Sequence, residues 1–409
     1  MASNHQCEGI HTAVSHALAW LVLGNAIGLL LSILLLFPNL TFGELTYGRW
    51  VPIHLNAQLY GWTALPLIAW LFSAYEIHNS KSARWASPAI WAWSGALFIG
   101  ALSWLSGTSS GKIFLDWNHG SLWVFVAAMV ILWIVLAAAW KHGASHWTAS
   151  RRWFSGISIM GLAFVPVSMI FAASPSIYPP VDHTTGGPTG SSLLGSTLIV
   201  IAMMLLLPRI AGLPIGQKSS RLTWIFFWLC GLVFVVTETI GGSHFDSWQI
   251  GAMLCLIPWA WLIPNHWKKF TWPEGTIAWR VAAIVWWGFL VISGVTMFLP
   301  GLLDHLKFTQ GLVAHSHLAM AGFTTSFCAL LIVAVSKKKL GRKLTISLWN
   351  AAALGMILVL AWMGWREGNE YSWMICNPSW RQLGFFLRAF FGTVMLATSV
   401  SWLTQWIRK

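Results

Sequence analysis

The stretch from Thr309 to Val335, TQGLVAHSHLAMAGFTTSFCALLIVAV, contains no Asp, Glu, Lys or Arg. A helix needs about 20 predominantly apolar residues to cross a hydrocarbon core of about 30 Å, and this stretch is long enough. Its first turns nevertheless carry two imidazoles, His315 and His317. Titratable side chains are costly inside a membrane and usually mark function. The rest of the chain fits the same reading. It has 409 residues, of which 57% are hydrophobic and only 9% charged, with a mean hydropathy of +0.67. Soluble chains carry about 25% charged residues, so a soluble globular class is excluded.

Hydropathy predicts an all-α, polytopic membrane protein. It has a single membrane domain, 1–409, built as a bundle of twelve transmembrane helices. The spans run over 14–37, 52–75, 86–106, 118–140, 153–174, 184–207, 222–244, 248–264, 280–300, 309–335, 346–364 and 383–406. Helix-breakers mark the connections: Pro38, Gly48, Gly107, Pro175, Pro208, Gly241, Gly242, Pro264, Pro300 and Pro378. No internal repeat is evident. The polar stretch from Met1 to Thr12 lacks Lys and Arg and is not expected to be a signal peptide.

The net charge of +13 sits in short loops rather than on one face, which argues against nucleic acid as a partner. Only Arg49, Lys112, Lys307, Arg366, Arg381 and Arg388 fall in or near one half of the membrane; the rest of the 24 Lys and Arg fall on the other side. Basic loops face the cytoplasm, so the chain is expected in a bacterial inner membrane with both termini cytoplasmic. The 31 tryptophans suit membrane-interface positions and would also suit the surroundings of large flat cofactors. Cys7, Cys230, Cys255, Cys328 and Cys376 form neither a CxxC nor a CxxCH. Zinc ribbons, iron–sulfur sites and covalently attached haem are therefore not expected.

That topology comes from Lys and Arg alone, yet it brings five of the 14 histidines to one depth. His54 opens the second span, His183 leads into the sixth, His244 ends the seventh, and His315 and His317 open the tenth. A hydrogen-bonded membrane histidine explains any one of them; it explains five in one layer poorly. Imidazole ligates haem iron and copper. Residues two apart on a helix lie roughly 200° apart around its axis. His315 and His317 therefore cannot share one metal, but they can hold two haems on opposite sides.

These residues resemble a known family. Tyr47-Gly48-Arg49-Trp50-Val51-Pro52-Ile53-His54-Leu55-Asn56-Ala57 is similar to the second-helix motif of the C-family (cbb-type) cytochrome c oxidases and nitric-oxide reductases. Ala314-His315-Ser316-His317 resembles their tenth-helix motif. Asp182-His183-Thr184-Thr185-Gly186 and Ile240-Gly241-Gly242-Ser243-His244-Phe245 resemble, less specifically, their sixth and seventh helices. Asp116-Trp117 resembles the acidic stretch before the fourth. The resemblance, to subunit I of the haem-copper oxidases, spans nearly the whole chain.

The resemblance implies roles position by position. His54 and His317 would ligate a low-spin haem and His315 a high-spin haem, both non-covalent and b-type. His183 and His244 would bind a second metal, copper or iron, and Arg49 and Arg388 would lie near haem propionates. Three departures stand out. Phe245 replaces a family histidine, Val51 replaces an arginine, and the seventh helix has no tyrosine but has Glu238. A carboxylate there is what nitric-oxide reductases use, so Glu238 is a candidate catalytic residue; a structural hydrogen bond or proton relay accounts for it equally.

The expected function is the haem-binding catalytic subunit of a respiratory terminal reductase. It would sit in membrane lipid, take electrons from a cytochrome c-type subunit or soluble cytochrome, and reduce oxygen. A nitric-oxide reductase variant, a dihaem electron-transfer subunit with a degenerate metal site, and a transporter with structural histidines are the alternatives.

Overall fold

The computed structural model describes residues 2–40, 43–181, 193–210, 213–216, 221–242 and 245–408. The elements are helical throughout, with no strand among the described residues. The helices are α1 (Ala2–Leu36), α2 (Tyr47–Asn56), α3 (Ala64–Ala74), α4 (Ala83–Leu105), α5 (His119–Gly143), α6 (Ala149–Ala173), α7 (Leu193–Ile210), α8 (Arg221–Ile240), α9 (Ser247–Met253), α10 (Trp259–Trp267), α11 (Ile277–Met297), α12 (Leu302–Leu306), α13 (Gln310–His317), α14 (Thr325–Ser336), α15 (Lys343–Asn369) and α16 (Ser379–Ile407).

Ten helical stretches among the described residues are long and apolar enough to cross a membrane, against the twelve expected. The difference has two sources. The expected span 52–75, built of α2, the π-helical turn Ala57–Thr63 and α3, is not among the ten. In the expected span 184–207, the described helix begins only at Leu193. Elsewhere the observed ends lie within a few residues of the expected ones, except that α1 starts at Ala2, well before residue 14.

The chain forms two compact units. The first comprises Met1–Val181, Leu331–Arg342 and Met395–Lys409. Here α1 packs on α2, α3 and α4, and α5 packs on α4 and α6. The core is aromatic: Trp117 stacks on Phe125 at 4.1 Å between ring centroids and meets Trp104 edge-on at 5.0 Å. Buried amides and hydroxyls pair among themselves, as they must in an apolar interior. Asn25 donates to Ser399 Oγ at 3.1 Å, and Gln58 donates to Asn25 Oδ1 at 3.1 Å. The helix starts are capped by short polar side chains. Asn118 accepts from the His119 N–H at 2.8 Å, and Thr148 accepts from Arg151 N–H at 3.4 Å.

The second unit comprises Asp182–Leu330 and Lys343–Val394. Helix α13 and the π-helical turn that follows it, Leu318–Thr324, lie against α15 and α11. Gly364 on α15 meets the backbone of Gly311 on α13 so closely that a Cβ would have no room. The Trp287 indole donates to Trp259 O at 2.9 Å. Cys230, Cys255, Cys328 and Cys376 are free thiols.

Candidate functional site

All three candidate haem histidines among the described residues have Nδ1 hydrogen-bonded. His54 Nδ1 lies 2.8 Å from Gly24 O on α1. His317 Nδ1 lies 2.8 Å from Val313 O, one turn back on its own helix. A carbonyl can only accept, so Nδ1 carries the proton in both rings and the lone pair is on Nε2. His315 Nδ1 lies 3.2 Å from Ser293 Oγ on α11, and that hydroxyl donates to Leu290 O at 3.3 Å. The Ser293 hydroxyl thus ties the His315 ring to α11 through Nδ1. Fixing the tautomer through the other ring nitrogen is how proteins orient metal-ligating histidines.

The surroundings make space for these rings. A Cβ on Gly28 would sit 2.7 Å from His54 Cε1, so only glycine leaves the imidazole its place beside α1. Both histidine-bearing helices then widen into a π-helical turn directly after the motif, at Ala57–Thr63 and at Leu318–Thr324. A π turn displaces backbone carbonyls from their usual partners, and such turns are frequent at functional sites. Buried indoles donate to a carbonyl in each turn. Trp93 Nε1 donates to Tyr60 O at 2.9 Å in the first unit, and Trp349 Nε1 donates to Ala321 O at 2.9 Å in the second. Each turn also contains a glycine that seats a tryptophan, Gly61 against Trp20 and Gly322 against Trp286.

Sequence reasoning missed these turns, although a signal was present. His54 is followed after six residues by Gly61-Trp62-Thr63, and His315 after six by Gly322-Phe323-Thr324. Threonine hydroxyls close both turns five residues back: Thr63 Oγ1 donates to Gln58 O at 3.0 Å, and Thr325 Oγ1 to Met320 O at 2.9 Å.

Arg49 and Arg388 are engaged. Arg49 donates to Leu105 O at 3.1 Å and pairs with Glu44 at 3.0 Å. Arg388 is buried and donates to Gln310 Oε1 at 3.3 Å. Beside the arginines lie donors that the protein itself does not satisfy. The buried Nε1 atoms of Trp50 and Trp380 have no hydrogen-bond partner, and they neighbour Arg49 and Arg381 in sequence. A buried N–H without an acceptor is costly. A bound group bearing carboxylates would supply one, so the residues present fit a haem. The Arg49-Trp50 and Trp380-Arg381 dipeptides are the sequence signal that would have revealed these two positions.

The connection between α4 and α5 is tied to α2. Asp116, buried, accepts from Asn56 Nδ2 at 2.9 Å and from Ser109 Oγ at 3.2 Å. Burial pushes its carboxyl above the usual range, against the pull of those donors. Lys112, also buried, donates to Ala172 O at 3.3 Å and Tyr178 O at 3.4 Å, and burial draws its ammonium below the usual lysine range.

His183 and His244, expected to hold a second metal, lie outside the described residues, as does Asp182. Among the described residues no three His, Cys, Asp or Glu side chains gather as a metal site. Glu238 is exposed in the last turn of α8. Phe245, at the family histidine's position, lies under the Lys307 ammonium, 5.4 Å from the ring centroid. His305 lies 3.3 Å from Trp365 O through Nε2.

Replacing Ser293 by alanine removes the hydroxyl that orients His315. Loss of such a partner typically costs 10–100-fold in ligand affinity. Haem capture by an excess of scavenger apoprotein should quicken by about that factor for one haem only, and Ser293→Thr should restore it.

No protein-family model matches the chain. It is 25% identical to "Cytochrome c oxidase subunit 1" of Rhodobacter capsulatus, covering 92% of this chain and 77% of that protein. It is 22% identical to "Cbb3-type cytochrome c oxidase subunit CcoN1" of Stutzerimonas stutzeri, covering 85% and 80%. In structure it is similar to a heme-copper terminal oxidase solved as a dimer, with TM-score 0.62 and 12% identity over 97% of this chain and 84% of the other.

Proposed function

We propose that the chain, which is similar over most of its length to cytochrome c oxidase subunit 1 proteins, is the haem-binding catalytic subunit of a respiratory terminal reductase that passes electrons to oxygen. The observation that carries this reading is the set of three imidazoles at His54, His315 and His317. Each has Nδ1 hydrogen-bonded by its surroundings, which leaves Nε2 as the ligating nitrogen.

In this reading His54 and His317 ligate the low-spin haem and His315 the high-spin haem. Arg49, Trp50, Arg388 and Trp380 receive the propionates. The haems supply one-electron chemistry at short range; the chain's part is to hold the ligands in one tautomer and to exclude water. The aromatic packing and the Trp-capped π turns keep the backbone around the histidines dry and rigid. Electrons enter from a cytochrome c-type partner on the side of the membrane that carries Arg49 and Arg388. The chain lies in a bacterial inner membrane with both termini cytoplasmic.

A second reading, a dihaem electron-transfer subunit, is favoured by one observation. The third metal-ligand position is Phe245, and the Lys307 ammonium lies over its ring. A fixed positive charge there disfavours a second cation. A nitric-oxide-reducing variant rests on Glu238.

A reduced-minus-oxidised spectrum with and without carbon monoxide, joined to haem and metal analysis, tests these readings. The reductase reading expects two extractable haems, one of which binds carbon monoxide, and one non-haem metal per chain. Two haems without a non-haem metal would support the dihaem reading, and a protein without haem would refute both.

A further inference from the structure

Helix α13 presents His315 and His317 in its last turn, five and seven residues beyond Gln310, or about 8 and 11 Å along the axis. The start of that helix is held from α15. Glu367 Oε2 accepts the Gln310 N–H at 2.7 Å, and Thr309 Oγ1 accepts the Gly311 N–H at 3.1 Å. These acceptors satisfy N–H groups that a helix leaves without partners at its first turn, and a carboxylate there meets the positive end of the helix dipole.

Glu367 is only 2% exposed. A carboxylate that deep is sustained by a paired cation, and Arg381 Nε donates to its Oε1 at 3.2 Å. The Trp373 indole donates to the Glu367 carbonyl at 2.9 Å, fixing the backbone that carries it. One turn earlier on α15, Gly364 lies against Gly311, and at the helix's other end Trp349 of α15 holds Ala321 O. One helix thus grips α13 before and after its two histidines, and Glu367 is the one charged group in that grip.

We propose that Glu367, neutralised by Arg381, is a positioning residue: it sets the axial register of the helix bearing His315 and His317 and balances the charge at the start of that helix. The inference rests on the haem reading. Its consequence has a sign. Glu367→Gln leaves the Arg381 cation uncompensated, which favours the electron-rich, reduced haem and raises its midpoint potential. Arg381→Gln leaves the Glu367 anion uncompensated and lowers it. The double variant restores neutrality and returns the potential towards the wild-type value. Glu370, which pairs with Arg366 at 2.6 Å on the exposed side of the same helix end, is the control; Glu370→Gln should leave both potentials in place.

The experiment is a spectroelectrochemical titration of the purified protein and these four variants, with the low-spin signal followed by electron paramagnetic resonance. Opposite shifts for the two single variants, cancelled in the double, establish the inference. If Glu367→Gln does not accumulate with haem, Arg381→Gln and the double variant carry the test, with a downward shift that the double variant reverses. Shifts of one sign in both single variants, or unchanged potentials in protein that is merely less stable, overturn it. A wild-type protein without haem overturns the haem reading instead.

Discussion

Replacing His315 by alanine should abolish carbon-monoxide binding and halve the extractable haem, while replacing His54 or His317 should remove the low-spin signal and leave carbon-monoxide binding in place. The two outcomes separate because of helix geometry. His315 and His317 lie roughly 200° apart around one axis, and each takes its orientation from a different neighbour, Ser293 on α11 for the first and Val313 on α13 itself for the second. His54 takes its orientation from α1 through Gly24 O. Removing one ligand therefore leaves the supports of the others intact. Ser316, exposed between the two histidines, is the internal control; Ser316→Ala should keep both spectra. If His315→Ala retains full carbon-monoxide binding, or His54→Ala a full low-spin signal, the ligand assignment is wrong.

Gly364→Leu should be the most destabilising of the single changes considered that touch no ligand. A Cβ added at Gly364 would run into the backbone nitrogen and Cα of Gly311, so an added side chain meets main chain rather than a side chain that can rotate away. Overpacking typically costs about 1–3 kcal/mol where side chains give way. Here α13 and α15 must separate, and the Glu367 and Trp349 contacts at either end of the grip oppose that. The expected result is protein that loses haem at His315 and His317 together, with a lowered midpoint of thermal unfolding in detergent. Gly288→Leu is the control, because nothing lies within 4 Å of a Cβ built there. Equal stability and haem content in the two variants would refute the close-packing argument.

The membrane class and most helix positions were legible from residue type and spacing, because a bilayer imposes one length and one polarity rule on every span. Apolar length located α4, α5, α8 and α11 to within a few residues. The bias of Lys and Arg gave the expected orientation, and the imidazoles stood out because few titratable groups share their spans. Orientation remains an inference from charge, and His183 and His244 remain sequence expectations outside the described residues.

What tertiary structure decided is the hydrogen bonding of each candidate histidine. Hydropathy carries no information on which ring nitrogen bears the proton; Gly24 O and Val313 O place it on Nδ1 of His54 and His317, and Ser293 Oγ engages Nδ1 of His315 from another helix. The π turns escaped the sequence reading because a window of apolar residues looks the same at either helical pitch. Their cause is remote: Trp93 and Trp349 accommodate the displaced carbonyls, and Trp20 and Trp286 fill the glycine seats. Glu367 read as one more charge near a helix end. Only folding brings it to Gln310 and Arg381, since a helix start has N–H groups that its own segment cannot satisfy and that a distant acceptor must.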